Sequence, residues 1–253
     1  MVKTMADIEL IFGDCLEKLK AIPDNSIDLV LTDPPYGLDK EMANDTKEGL
    51  LQLLSLSLKE IRRVAKDKHS ILIFFDAGKN LPIIFKAIEE SGLTFQRYIC
   101  FYKPADCSMP HNRVLRKSEA LLVCSKNETI NHDGEEYMHD VIKQNIIGKE
   151  LPYSSTAWHP SIKPASVCKK LIKVNTLEGE IVLDPFMGSG TTGVAAVALS
   201  RRFIGMEIDQ TYFKMAEKRI METKKQSRLT DTETAVKPIP PTDKSVGILG
   251  VIL

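Results

Sequence analysis

"VLDPFMGSGTTGVAA" (residues 182–196) decides the fold. A short apolar run ends at an acid, Asp184. A turn containing Gly188 and Gly190 follows, and then a run of small and apolar residues. Strand, tight turn and helix in immediate succession open a βαβ unit. The two glycines let the backbone turn sharply and approach a ligand closely. The helix after them begins with N–H groups that have no partner within the helix.

Working outward, the pattern repeats. "RFIGMEI" (202–208) reads as the next strand and "TYFKMAEKRIMETKK" (211–225) as the next helix. Upstream, "PASVCKKLIKVN" (164–175) has helical spacing with Pro164 at its start. Further strands are expected at "IELIF" (8–12), "IDLVLT" (27–32), "SILIFF" (70–75), "QRYICFY" (96–102) and "EALLVCS" (119–125). Helices are expected over 15–22, 50–65 and 81–92, the last ending at Gly92. Continuous apolar strands alternating with helices imply a mostly parallel sheet covered on both faces. Ligands of such sheets bind beyond the carboxyl ends of the strands.

Two of those ends carry acids, Asp184 and Asp33. The second opens "DPPY" (33–36), in which Pro34 and Pro35 remove two backbone donors in succession before Tyr36. A third acid, Glu207, follows Asp184 by 23 positions (207 − 184). An acid at about 20 residues from a glycine turn is placed to accept hydrogen bonds from ribose hydroxyls. The turn is neither a Walker A loop nor a complete GxGxxG, and no lysine follows it to hold a phosphate. The expected ligand is nucleoside-like, without a pyrophosphate.

Composition excludes less than it permits. The 253 residues are 43% hydrophobic and 27% charged, the balance of a globular domain with an ample core. Thirty-four basic residues offset 34 acidic ones, so any nucleic-acid surface must be a local patch. None of the five cysteines forms a CxxC pair, and no His/Cys cluster has zinc spacing, so no metal is expected and the thiols read as reduced core residues. No signal-peptide core or membrane-length apolar run is evident, and a cytoplasmic location is expected.

"DPPY" (33–36), "HPSIKP" (159–164), "DPFMGSGTT" (184–192) and "GMEID" (205–209) together resemble the DNA amino-methyltransferases that use S-adenosylmethionine. The order, target-base motif before cofactor motif, is similar to that of the β class of N6-adenine and N4-cytosine enzymes. The resemblance spans roughly residues 8–222. It implies an α/β, Rossmann-like methyltransferase sheet, mostly parallel with one reversed strand, in circularly permuted motif order. It divides the chain into a catalytic half (1–125), a short target-recognition insertion (126–157), a cofactor-binding half of the same domain (158–225) and a tail of flexible composition (226–253).

The resemblance also assigns roles. Asp33 and the Pro34 carbonyl would each accept an N–H of the target amino group, with Pro35 helping to hold that stretch extended and Tyr36 stacking on a flipped-out base. Asp14, His159, Ser161, Lys163, Asp184, Pro185, Phe186, Gly188, Ser189, Gly190, Thr191, Thr192 and Glu207 would surround the cofactor. Lys163 would meet its carboxylate and Asp14 would lie near its adenine. Asp14 and Asp209 also read as helix N-caps. Lys103, Arg113, Arg116 and Lys117 would face DNA phosphates. The expected activity is site-specific methylation of adenine N6 in DNA, as in restriction-modification systems. An aspartate at the first motif position is commoner for adenine in this family, and a serine for cytosine. N4-cytosine methylation, an RNA or small-amine substrate, and a non-catalytic nucleic-acid-binding subunit on the same fold stay open. Family members are often homodimers, but no stretch reads as a dimer surface.

Overall fold

The computed structural model describes residues 2–5, 7–35, 46–76, 78, 80–102, 118–127, 139–143 and 163–235. One sheet of nine strands organises them, in the order β1-β2-β9-β8-β3-β4-β6-β5-β7. The strands are β1 (Val2–Met5), β2 (Ile8–Phe12), β3 (Leu29–Thr32), β4 (Ser70–Phe75), β5 (Thr94–Tyr102), β6 (Ser118–Ser125), β7 (Val141–Lys143), β8 (Ile181–Asp184) and β9 (Arg202–Glu207). The helices are α1 (Cys15–Lys18), α2 (Lys47–Val64), α3 (Leu81–Ser91), α4 (Ala165–Asn175), α5 (Thr191–Ala198) and α6 (Gln210–Ala235).

The central strands β2, β9, β8, β3 and β4 are mutually parallel. The expected reversed strand is β6, antiparallel to β4 and β5. There is a second: β1, at the edge, runs antiparallel to β2. Sequence patterning missed β1, and it missed β7. β7 is three residues long, lies in the irregular 126–157 segment, and pairs with Cys100–Tyr102 of β5. Strands that short carry no readable alternation.

Each central strand feeds both faces. In β3, Leu29 and Leu31 pack with α4, α5 and α6, while Val30 packs with α1, α2 and α3. In β4, Leu72 and Phe74 take the first side, and Ile71, Ile73 and Phe75 the second. Burial on both sides explains why these runs are apolar throughout rather than alternating. α2 spans the amphipathic stretch of the sequence, with Thr46 as its N-cap accepting from the Gly49 N–H at 3.0 Å. α3 ends on Gly92 at φ +74°, as the glycine there suggested. α6 does not stop near residue 225. It continues to Ala235, through residues whose composition suggested a flexible tail. No helix among the described residues is long and apolar enough to cross a membrane.

The consequence for function is positional. β3 and β8 are adjacent parallel strands with Leu29 opposite Val182 and Val30 opposite Leu183. The chain after β8 forms α5 on one face of the sheet, and α2, after β3, lies on the other. Chains departing to opposite faces leave a crevice at the carboxyl edge between the two strands, the switch point where α/β sheets bind ligands.

Candidate active site

The two acidic motifs meet at that switch point. Asp33 and Asp184 stand at the carboxyl ends of β3 and β8. The Thr32 hydroxyl donates to Asp184 Oδ1 at 2.8 Å, joining residues 152 positions apart. The Phe186 N–H donates to the same oxygen at 3.2 Å. Asp184 is 3% exposed. Burial pushes its carboxyl up to about 7, against the pull of hydrogen bonds from Thr32, Thr192 and the Phe186 N–H. This acid is a structural anchor of the turn as well as a wall of the crevice.

The turn after it is held from two sides. The Gly188 N–H donates to Glu207 Oε2 at 2.7 Å. Arg219, on α6, donates to the Ser189 carbonyl at 2.6 Å and to the Ser189 hydroxyl at 2.9 Å. The glycines then have different reasons. Gly188 adopts φ +51° with open space where a side chain would begin. Gly190 adopts φ +81°, and a Cβ there would lie 2.7 Å from that of Ala216, so α6 itself enforces this glycine.

Glu207 closes β9. Its other oxygen accepts from the Asp209 N–H at 2.8 Å. Burial raises its pKa, while the Asp209 and Gly188 N–H groups pull it down. A carboxylate offers about four lone-pair positions, so these donors orient Glu207 and leave acceptor capacity for hydroxyls. The Gly13 N–H donates to the Glu207 carbonyl at 2.9 Å, which brings Asp14 to the neighbouring strand end. Asp14 is exposed and caps α1, accepting from the Leu16 N–H at 2.9 Å. Asp209 caps α6 through the Thr211 and Tyr212 N–H groups. With no lysine or arginine in the 185–190 turn itself, its backbone amides and the Glu207 carboxylate make a set that fits the hydroxyls of a nucleoside.

Lys163 is placed differently from a residue aimed only at a cofactor. Its Nζ lies 2.6 Å from Asp33 Oδ2 and 3.1 Å from Glu119 Oε2, with the Phe74 ring centroid 5.2 Å away. Its side chain is 8% exposed. Burial alone would lower its pKa, but Asp33 and Glu119 outweigh that and raise it, so the ammonium persists at neutral pH.

Asp33, Pro34, Pro35, Asp184, Pro185, Phe186, Gly188, Ser189, Gly190, Thr191, Thr192 and Glu207 therefore gather along one edge, with Asp14 and Lys163 beside them. Tyr36, Lys103, Arg113, Arg116, Lys117, His159 and Ser161 lie outside the described residues. Sequence reading missed Thr32, Glu119 and Arg219, and also Asp76, a buried acid directly after β4 at the same edge. A polar Thr32 ending one apolar strand and the acid Asp76 directly following another were local signals available.

Residues 27–218 match the model of the N6/N4 DNA methylase family. The chain is 31% identical to the Type II methyltransferase M.HpaI of Haemophilus parainfluenzae, over 85% of this chain and 74% of that protein. It is 30% identical to the DNA adenine methyltransferase YhdJ of Escherichia coli, over 83% and 82% respectively. In fold it is similar to the M1.HpyAVI–SAM complex (27% identity, TM-score 0.65, 84% of this chain and 98% of that one). It is also similar to the cytosine-N4-specific PvuII DNA methyltransferase (20%, 0.72, 88% and 93%), a likeness of fold. The match runs from just before the Asp33 strand into the first third of α6 and takes in Asp33, Lys163, Asp184, the glycine turn and Glu207, and the chain belongs to the N6/N4 DNA methylase family.

Proposed function

We propose that this DNA methyltransferase acts on the exocyclic N6 of adenine, flipped out of DNA into the crevice between β3 and β8. The observation that carries the reading is Asp33: a carboxylate at a strand end, followed by two prolines, beside a buried acid and a glycine turn built for a nucleoside. YhdJ, similar over most of both chains, bears an adenine-specific name, and aspartate leads the target-base motif here.

S-adenosylmethionine is the methyl donor and supplies a methyl group already activated on a sulfonium. The 185–190 turn, Glu207 and Asp14 would hold it. The chain's own task concerns the amine. The lone pair of an adenine amino group is delocalised into the ring and attacks poorly. Asp33 accepts one N–H and the Pro34 carbonyl the other, which turns the lone pair towards the methyl carbon. Pro34 and Pro35 restrict the backbone, so that carbonyl is presented without reorganisation. As the new N–C bond forms, the methyl's bond to sulfur breaks and the neutral thioether leaves with the bonding pair, while the nitrogen sheds a proton in the direction of its acceptors. Holding both reactants in line can contribute roughly 7–11 kcal/mol of barrier reduction. A stacked base cannot reach this edge, so extrusion precedes the chemistry, with Tyr36 as stacking surface and Lys103, Arg113, Arg116 and Lys117 on phosphates. Residues 126–157 would read the site sequence.

The test is labelled S-adenosylmethionine with single- and double-stranded DNA, digested to nucleosides and separated. Label in N6-methyldeoxyadenosine is expected. Label confined to N4-methyldeoxycytidine would keep the scaffold and overturn the base, and label in neither would overturn the reading.

A further inference from the structure

Lys163 and Glu119 are separated by 44 positions (163 − 119) and come from different elements, yet the one ammonium of Lys163 ties Glu119 to Asp33. Glu119 lies near the start of β6, which is reversed, so its amino end reaches the same sheet edge as the carboxyl ends of β3 and β4. Lys163 immediately precedes Pro164, the N-cap of α4, whose fixed φ sets where that lysine leaves the helix. A lysine normally keeps its head in water. This one is buried on the face of Phe74 between two carboxylates.

We propose that Lys163 and Glu119 are positioning residues for Asp33. They set the orientation of its carboxylate for the amino group, a role resting on the methyltransferase reading above. An ammonium bound at Oδ2 fixes the carboxylate plane, and hence the direction in which Oδ1 receives an N–H. A lysine committed to Asp33 alone would drain its strength as an acceptor. Glu119 shares the ammonium, so one positive charge serves two negative ones and Asp33 stays electron-rich. Asp184 and Cys168 also face this cluster, with Arg219 beyond them; Cys168 is a neutral thiol, pushed up to about 12 first by burial and then by Asp184. The family resemblance puts Lys163 on the cofactor's carboxylate, and the two roles predict different losses.

The variants are Lys163→Met, Glu119→Gln and the pair combined, assayed for turnover at saturating S-adenosylmethionine and for cofactor Kd by calorimetry. Misdirecting a reacting group costs about 100-fold, so kcat should fall ~100-fold in Lys163→Met and in the combined variant and ~10-fold in Glu119→Gln, with Kd held within ~2-fold. Near-normal kcat with a weakened Kd would place Lys163 on the cofactor and overturn the proposal. Lys163→Met leaves two buried carboxylates without a cation, which can prevent folding; the combined variant relieves one of them. A thermal-melting cycle of Asp33→Asn, Lys163→Met and both tests the pair without turnover. Strong coupling is expected, and additive losses would overturn the proposal. A wild-type chain that labels no nucleoside overturns the functional reading instead, and the pair is then judged by this cycle.

Discussion

β3 has an aspartate beyond each end, and each aspartate meets a lysine. At the amino end, Asp28 accepts from the Ile181 N–H at 2.9 Å and from Lys66, whose side chain is 41% exposed. At the carboxyl end, Asp33 meets Lys163, 8% exposed and shared with Glu119. The chemistry of the pair is the same and the surroundings differ. Asp28, itself 3% exposed, completes the backbone pairing between β3 and β8 and has a lysine that solvent reaches. Asp33 stands where the chain leaves the sheet, among buried acids, beside a cation that solvent barely reaches. A parallel sheet packs its amino end and opens its carboxyl end, and that asymmetry separates a staple from an active site.

The difference can be broken at either end. Asp33→Ala should carry the largest effect, lowering methyl transfer at least ~100-fold while the S-adenosylmethionine Kd by calorimetry moves less than ~2-fold. Retained turnover would make the two aspartates equivalent. Asp28→Ala strands the Ile181 N–H and should cost about 1–3 kcal/mol of stability in denaturant titration, with kcat per folded molecule unchanged. The effect confined to a pH slope, with no change in activity at its centre, concerns Asp184. Its folded carboxyl, raised to about 7 by burial, holds a proton that the unfolded chain releases near pH 4. The stability that Asp184 contributes should therefore be lost as pH rises from about 4 to 7. Asp184→Asn should flatten that slope, and its Tm relative to wild type should be higher at pH 7.5 than at pH 5. Parallel profiles would remove the buried acid from the account of this edge.

These contrasts also mark what was legible in the sequence. The alternation of strands and helices apart from β1 and β7, the crevice-facing ends of β3 and β8 and the capping role of Asp209 follow from periodicity and turn chemistry. Those signals lie within a few residues of each other. The pairing of Lys163 with Asp33 joins residues 130 positions apart, and Thr32 with Asp184 joins residues 152 apart. No local period encodes such contacts; the first exists only once α4 docks beside β3, and the second only once β8 pairs with β3. Gly190 was legible as a turn glycine but not as the point where α6 rests on α5, since the clash it avoids is with Ala216.

The most direct measurement is photo-crosslinking. DNA carrying a photoreactive adenine analogue is irradiated with the chain and S-adenosylmethionine, and the adduct is mapped by mass spectrometry. An adduct in the peptide that contains Asp33, Pro34 and Pro35 is expected. An adduct at the opposite end of the sheet, beside Asp28 and Lys66, would contradict the assignment of the target base to the carboxyl edge.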